Sequence, residues 1–420
     1  MAVNFIRYSK DKFQRLGLLK ILVAVLDPQR RSVPSELLLR RIERVLFEEK
    51  VAGLTNAERL IRGADGSSWN FRLTQPTLGH LLDWGRLYGF VGSGNQITED
   101  GLLLRYIMGE EAVAGISNGS MLVNPFSLSL EERLYFLYRH LEMDTSLFFL
   151  IKRLASVTDI PIGGVQGDKI TCFALYDTYQ LINGKRGFSA HSLLTLKGLR
   201  ELIGKMVPEL NLSSEIPVSS VPKPTSNLRS KPEQRGRKRT NTSDNETLPR
   251  LEFLTDIGLL EKRAEGNSEA DVEKARKSWS YWPTPVLIRF SERLPSEFEP
   301  DFCQSGFARA ATAFLAGVEI RQLDSQLDPA GVALRAYDAY LKVKRRFGHT
   351  SVESVAVVAM IHCLACSEIL EILDVYKFFL NIKQKGLFPD TVRFAAGNDL
   401  GNMFLGIGPS FSEEVRSYYG

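Results

Sequence analysis

Leu81–Leu104 reads LLDWGRLYGFVGSGNQITEDGLLL, and the points where its helical pattern stops and restarts decide the fold class. Leu81, Leu82, Trp84, Leu87 and Tyr88 recur at helical spacing. Upstream, Thr74 is placed to cap that helix, with Pro76 in its first turn, and Gly89 stands where the helix must end in a left-handed conformation. Phe90-Val91 and Ile97-Thr98 read as two very short extended pieces around the Gly-rich turn GSGNQ. Thr98 then opens a new helix at EDGLLLRYIM.

Two more helices precede this stretch. KFQRLGLLKILVAVL carries apolar residues at helical spacing and stops at Asp27-Pro28, and SVPSELLLRRIERVLFEEK aligns Leu38, Ile42, Val45 and Leu46. A short segment near Asn56–Ile61 and the turn RGADGSS separate them from the third helix. The order helix, helix, helix, short strand, Gly-rich turn, short strand resembles the winged helix-turn-helix superfamily. That resemblance implies a trihelical core, a β-hairpin wing and a last helix that enters the DNA major groove. Carried over by position, Gln75, Thr77 and His80 would face bases, and Arg72 and Arg86 phosphate. The same superfamily also supplies protein–protein modules, and the sequence does not say which face is used.

A second stretch lines up with the first. RLEFLTDIGLL (250–260) repeats LLDWGRLYGFV (81–91), with a Leu early in the helix and a Gly followed by two apolar residues. Its wing would lie in EKRAEGNSEADVEKARKSWSYW, and its first core helices within 169–207. Between them, residues 211–248 are rich in Ser, Thr, Pro, Asn and Arg and poor in large apolar residues, which reads as a disordered linker inserted in this domain. Its basic core QRGRKRT holds Arg235, Arg237, Lys238 and Arg239 and resembles the minor-groove AT-hook, with Lys238 in place of the usual Pro. Those cations, with Arg250 beyond them, are candidate phosphate contacts. The alternatives are a solvated basic loop or a nuclear-import signal.

Residues 127–157 read as helical, with Ser129 and Glu132 at capping-box spacing, and helical blocks are expected near 169–184 and 189–207. WSYWPTPVLIRF reads as extended, the chain from Phe307 as mostly helical, and the end from about Pro389 as irregular.

Signals for chemistry are weak. Cys363-x-x-Cys366 beside His362 has no second ligand pair and lies in an apolar helical run, so core thiols are expected there. Asp301 and Glu319 loosely follow the acid layout of metal-dependent nucleases, but Arg321 replaces the Lys and ATAFLAGVEIRQL reads as helix. IPIGGVQGDK lacks phosphate-loop spacing, and the five histidines are scattered. No catalytic residue, metal or cofactor is expected.

With 420 residues, 44% hydrophobic and 24% charged, the chain can bury two or three domain cores. A net charge of +4 is too mild to mark a nucleic-acid binder by itself. No apolar run has membrane-spanning length, and four cysteines fit a reducing compartment, so a cytoplasmic location is expected. The expected fold is mostly α with small β-hairpin wings, as tandem winged-helix elements plus a helical C-terminal domain. The boundaries are 1–110 for the first winged helix, 111–168 for a helical connector, 169–295 for the second and 296–420 for the C-terminal domain. The layout looks like accessory subunits of bacterial defence or DNA-processing operons. It implies a non-catalytic protein whose partners are double-stranded DNA and other protein subunits. The other class left open is an interaction scaffold whose winged helices bind proteins.

Overall fold

The computed structural model describes residues 15–29, 31–47, 60–62, 68–70, 75–118, 124–157, 160–161, 170–171, 174–175, 177–178, 242–264, 279–326, 328–344, 350–395 and 403–419. Of these, 65% are helical, and the strands form small sheets of two or three, so the protein is mostly α with small hairpins. Among the described residues, no helix is long and apolar enough to cross a membrane.

In chain order the described elements are α1 (Leu16–Val25), α2 (Ser35–Phe47), β1 (Leu60–Arg62), β2 (Ser68–Asn70), α3 (Gln75–Leu87), α4 (Glu99–Met108), α5 (Glu110–Ser117), α6 (Leu130–Met143) and α7 (Thr145–Leu154). Next come β3 (Ile160–Pro161), α8 (Thr242–Asp256), β4 (Leu260–Ala264), β5 (Trp279–Pro283) and α9 (Pro285–Arg293). The remainder adds α10 (Phe302–Ser305), α11 (Phe307–Ala311), β6 (Arg321–Gln322), α12 (Pro329–Val343), β7 (Thr350–Ser351) and α13 (Val352–Ala365). It ends with β8 (Glu368–Ile369), α14 (Ile372–Lys385), β9 (Val392–Ala395), β10 (Phe404–Ile407) and α15 (Phe411–Tyr419).

The chain divides into two compact units that interleave along the sequence. One joins Arg15–Tyr138 with Arg293–Gly420, and the other contains Arg139–Glu292. The expected boundaries at 110, 168 and 295 follow sequence order, whereas this division puts the first and last thirds of the chain in one body.

In the first unit, α1, apolar except for Lys20, and α13 are buried over nearly all of their surface. All ten residues of α1 are covered, by α2, α3, α4 and α5 among others. Helix α13 packs on α12, α14 and α4. The Glu99 carboxylate at the start of α4 accepts from the Ser351 and Ser354 hydroxyls (3.0 and 2.9 Å) at the start of α13. Ser129 and Glu132 form the reciprocal capping box that opens α6, each side chain accepting from the other's backbone N–H at 3.2 and 2.8 Å.

Several expectations change. The helical run 127–157 breaks at Asp144, whose carboxylate caps α7 by accepting from the Ser146 N–H at 3.1 Å. Residues 242–248 belong to α8, not to the linker, since Thr-Ser-Asp-Asn-Glu is a favourable helix start. WSYWPTPVLIRF is half strand and half helix, because Pro285 sits in the first turn of α9. The helix expected through ATAFLAGVEIRQL ends after Ala311 and a short 3-10 turn at Thr312–Phe314, and Gly317 adopts φ +81°. Beyond that turn β6 pairs in parallel with β8. The C-terminus is regular: β9 and β10 form an antiparallel hairpin that extends to β7, and α15 follows.

One carboxyl in this unit gives a pH-dependent expectation. Glu371, just before α14, is buried and accepts from the backbone N–H groups of Ala308 (3.1 Å) and Arg309 (3.0 Å) at α11. Burial pushes its carboxyl up to about 7 against the pull of those two amides and the Arg309 charge. The folded protein then holds a proton that the unfolded chain releases, so stability falls as pH rises from about 4.5 to about 7. Glu371→Gln is expected to flatten that slope by about 3 kcal/mol between the two ends. Urea unfolding at several pH values reads it, and an unchanged slope would refute the assignment to Glu371.

Candidate nucleic-acid interface

The stretch around Gly89 is built from the end of α3. The Gly89 N–H donates to Arg86 O (3.0 Å), the Phe90 N–H donates to Gly85 O (2.8 Å), and Gly89 adopts φ +73°. Such a left-handed residue costs a side-chain-bearing amino acid roughly 1–2 kcal/mol, which is why glycine stands here. Phe90 then turns fully into the core. Thr98 locks the junction: its N–H donates to Phe90 O (3.1 Å), its hydroxyl donates to Gly89 O, and the same oxygen accepts from the Gly101 N–H (3.2 Å) to cap α4.

The other unit repeats these junction bonds. At the end of α8 the Gly258 N–H donates to Thr255 O (3.0 Å), the Leu259 N–H donates to Leu254 O (2.8 Å), and Gly258 adopts φ +84°. The Thr284 N–H donates to Leu259 O (3.1 Å), its hydroxyl lies 3.0 Å from Gly258 O, and it accepts from the Leu287 N–H (3.3 Å) at the start of α9. The sequence match of 81–91 with 250–260 therefore extends to a threonine beyond those bounds, Thr98 or Thr284.

What lies between glycine and threonine differs. In the second copy β4 and β5 pair over five residues, from Leu260↔Pro283 to Ala264↔Trp279. Strand β3 adds to β5, giving the order β3-β5-β4. In the first copy the two expected strands shrink to one antiparallel bridge, Val91↔Ile97, around a short 3-10 turn at Ser93–Asn95.

The GSGNQ turn does not project as a wing tip. It is tied to the segment that leads into α2, because Asn95 is buried and donates to Val33 O (3.0 Å) and Ser35 Oγ (3.2 Å). Gln96 donates to Ser32 Oγ (3.0 Å), and the Val33 N–H donates to Gly94 O (3.2 Å). Arg86 completes the seam by donating to Asn95 Oδ1 (3.1 Å) and to Asp83 (3.0 Å) on its own helix.

The candidate contact residues separate accordingly. Arg86 is half-exposed on α3 but shares that face with Asp83, and His80 is partly exposed on the same helix. Gln75 and Thr77 lie in the first turn of α3, with side chains outside the described residues, as are Arg72 and the proposed cap Thr74. The basic run Arg235, Arg237, Lys238 and Arg239, the linker up to residue 241 and the tip of the second hairpin also lie outside the described residues.

Arg250 is a correction. Its side chain is fully buried, with the guanidinium 2.9 Å from the Asp144 carboxylate and 3.1 Å from the Ser146 hydroxyl, so it has no path to phosphate. His140 completes this closed cluster, its Nε2 3.7 Å from Asp144. Ser146 bonds to Asp144 (2.5 Å) and Arg250, and all four side chains are shut off from solvent, so the cluster joins α6, α7 and α8.

Residues the sequence reading passed over are Arg31, Arg40, Arg41 and Arg44. All four are exposed, the last three on the outer face of α2, opposite buried Leu38 and Ile42. In RRIER the residues complementary to the apolar stripe are the signal for this face.

Cys363 is buried in α13, where burial pushes its thiol up to about 12, and Cys366 is exposed at that helix's end. Only the first therefore fits the expectation of core thiols. Asp301 and Glu319 are both exposed, and no cluster of three metal-ligating side chains occurs among the described residues. No protein-family model, curated protein or solved structure matches the chain.

Proposed function

We propose that the protein is a non-catalytic DNA-binding subunit that uses winged-helix elements and its basic run, acting beside an enzyme supplied by another chain. The observation that carries this reading is the second copy of the junction. Helix α7, the helical residues within 170–178, and α8 precede the hairpin β4–β5, and β3 widens that hairpin to three strands. This is the helix-then-hairpin order that the winged-helix resemblance implies, and the cations from Lys223 to Arg239 stand directly ahead of α8 in the chain. The likeness in layout to bacterial defence or DNA-processing subunits points the same way, and a cytoplasmic location is part of the same proposal.

A second reading, an interaction scaffold, draws on the first copy. Its turn is pinned to residues 32–35, and its Arg86 is shared with Asp83 and Asn95, which suits a surface that grips a protein. One titration separates the two. Binding of a fluorescent duplex is measured between about 50 and 200 mM salt for the intact protein and for Arg235, Arg237, Lys238 and Arg239 replaced together by Ser. The intact protein is expected to bind with a steep salt slope, and the variant to lose up to about 3.6 of it, some 0.9 for each cation removed. Absence of binding by the intact protein at the lowest salt would overturn the DNA reading in favour of the scaffold.

A further inference from the structure

The geometry points to the outer face of α2, with Arg31 and Arg86 at its edge, as a surface that docks on the phosphate backbone of duplex DNA. This rests on the DNA-binding reading above, but of the residues that the resemblance singled out it keeps only Arg86 and centres the contact on α2.

The sequence from 30 to 44 holds five arginines and no lysine, against Glu36 and Glu43. Arginine is the cation suited to phosphate, because its planar fork donates two parallel hydrogen bonds and is weakly hydrated. Leu38 and Ile42 face the core, which turns Glu36, Leu37, Arg40, Arg41 and Arg44 outward in one stripe. Arg40 and Arg44 are one turn apart, about 6 Å along the axis. Glu36 stands in the first turn, where the helix dipole favours an acid, so its place has an explanation that does not oppose an anionic partner.

The surface is also preorganised. Asn95 ties the Val33 carbonyl and the Ser35 hydroxyl at the start of α2 to the Arg86 guanidinium of α3. Gln96 holds Ser32, next to Arg31. Arg41 donates to the Val25 carbonyl (3.1 Å), which fixes one guanidinium against the end of α1. The turn that fails to project as a wing thus holds a cationic face in place. On α3, by contrast, the exposed face carries Asp83 beside Arg86.

The test uses the full chain, the same duplex titration and two variants. Arg40→Gln/Arg44→Gln removes charge but keeps good helix formers, and Arg40→Lys/Arg44→Lys keeps the charge. The Gln variant is expected to bind with a salt slope shallower by about 2 and an affinity at least tenfold lower near 150 mM salt, while the Lys variant keeps the slope. Unfolding midpoints matching the intact protein show that the fold is intact. If the Gln variant keeps the full slope while the linker variant loses part of its own, α2 is not the contact and the DNA reading stands. If the Gln and Lys variants lose the slope equally, the charge is not the cause and the inference fails. If the intact protein does not bind duplex at all, both the inference and the reading beneath it fall.

Discussion

Replacing Arg250 with Met is expected to cost the unit containing it about 3–5 kcal/mol of unfolding free energy. The guanidinium is fully buried and sits 2.9 Å from an Asp144 carboxylate that is equally closed to water. Without it, Asp144 is left as an uncompensated buried charge that must protonate or draw in water. The reason lies in the stranded carboxylate more than in the lost attraction, because two buried charges gain little net stability from each other. Arg250→Met combined with Asp144→Asn should therefore recover much of the loss, since Asn keeps an oxygen for the Ser146 N–H at the start of α7. Urea unfolding of the two variants reads the difference. Equal losses in both would assign the cost to packing.

The same cluster sets an acid response. Burial works to raise the Asp144 carboxyl, but the Arg250 guanidinium, with His140 and the Ser146 hydroxyl, outweighs it and holds the carboxyl below its ordinary value. Burial likewise holds the His140 imidazole below its ordinary value, against the Asp144 charge. Each folded pKa lies below its unfolded one, so each contribution is present above the unfolded pKa and lost as pH falls through the folded one. Loss begins below about pH 6.5 through His140 and continues below about pH 4 through Asp144. In Arg250→Met the stranded carboxylate is relieved by protonation, so the gap to the intact protein should narrow towards acid.

What the sequence disclosed was local, and what it concealed was distant. Gly89 and Gly258 were readable as helix ends because a left-handed residue leaves a compositional mark, and Thr98 and the Ser129–Glu132 box were readable because caps act over three residues. The Asp144 break was equally local, but it was overlooked because the apolar period of 127–157 runs through it unbroken. The docking of GSGNQ on residues 32–35 spans some sixty residues, and nothing in either segment announces the other. The pairing of Ile160 with Tyr281 and the shared body of the first and last thirds of the chain are concealed in the same way. Arg250 shows the cost of reading charge without exposure. Its place after a basic run suggested a surface cation, while its neighbours Leu251, Phe253 and Leu254 belong to a helix end with buried sides all round.

Lys20 is the counterpart in the other unit, and Lys20→Met is expected to destabilise that unit by about 3–5 kcal/mol. In the sequence it is the one charge inside LGLLKILVAV, and an amphipathic reading would turn it outward. It is instead 3% exposed, with Nζ 2.8 and 2.9 Å from the two oxygens of Glu132 and 2.9 Å from the Ser127 carbonyl. Glu132 was legible only as half of a capping box, and it does both tasks: its carboxylate accepts from the Ser129 N–H and neutralises a lysine that sits over a hundred residues away. Met fills the lysine's volume but leaves that carboxylate buried with a single N–H donor from the box. Lys20→Met/Glu132→Gln removes the stranded charge and keeps an acceptor for Ser129, so it should be markedly more stable than Lys20→Met alone. Chemical unfolding of the two variants decides the matter. If the double variant is the less stable, the pair contributes net attraction in the interior, and the view of it as a mutual shield for two unavoidable charges is wrong.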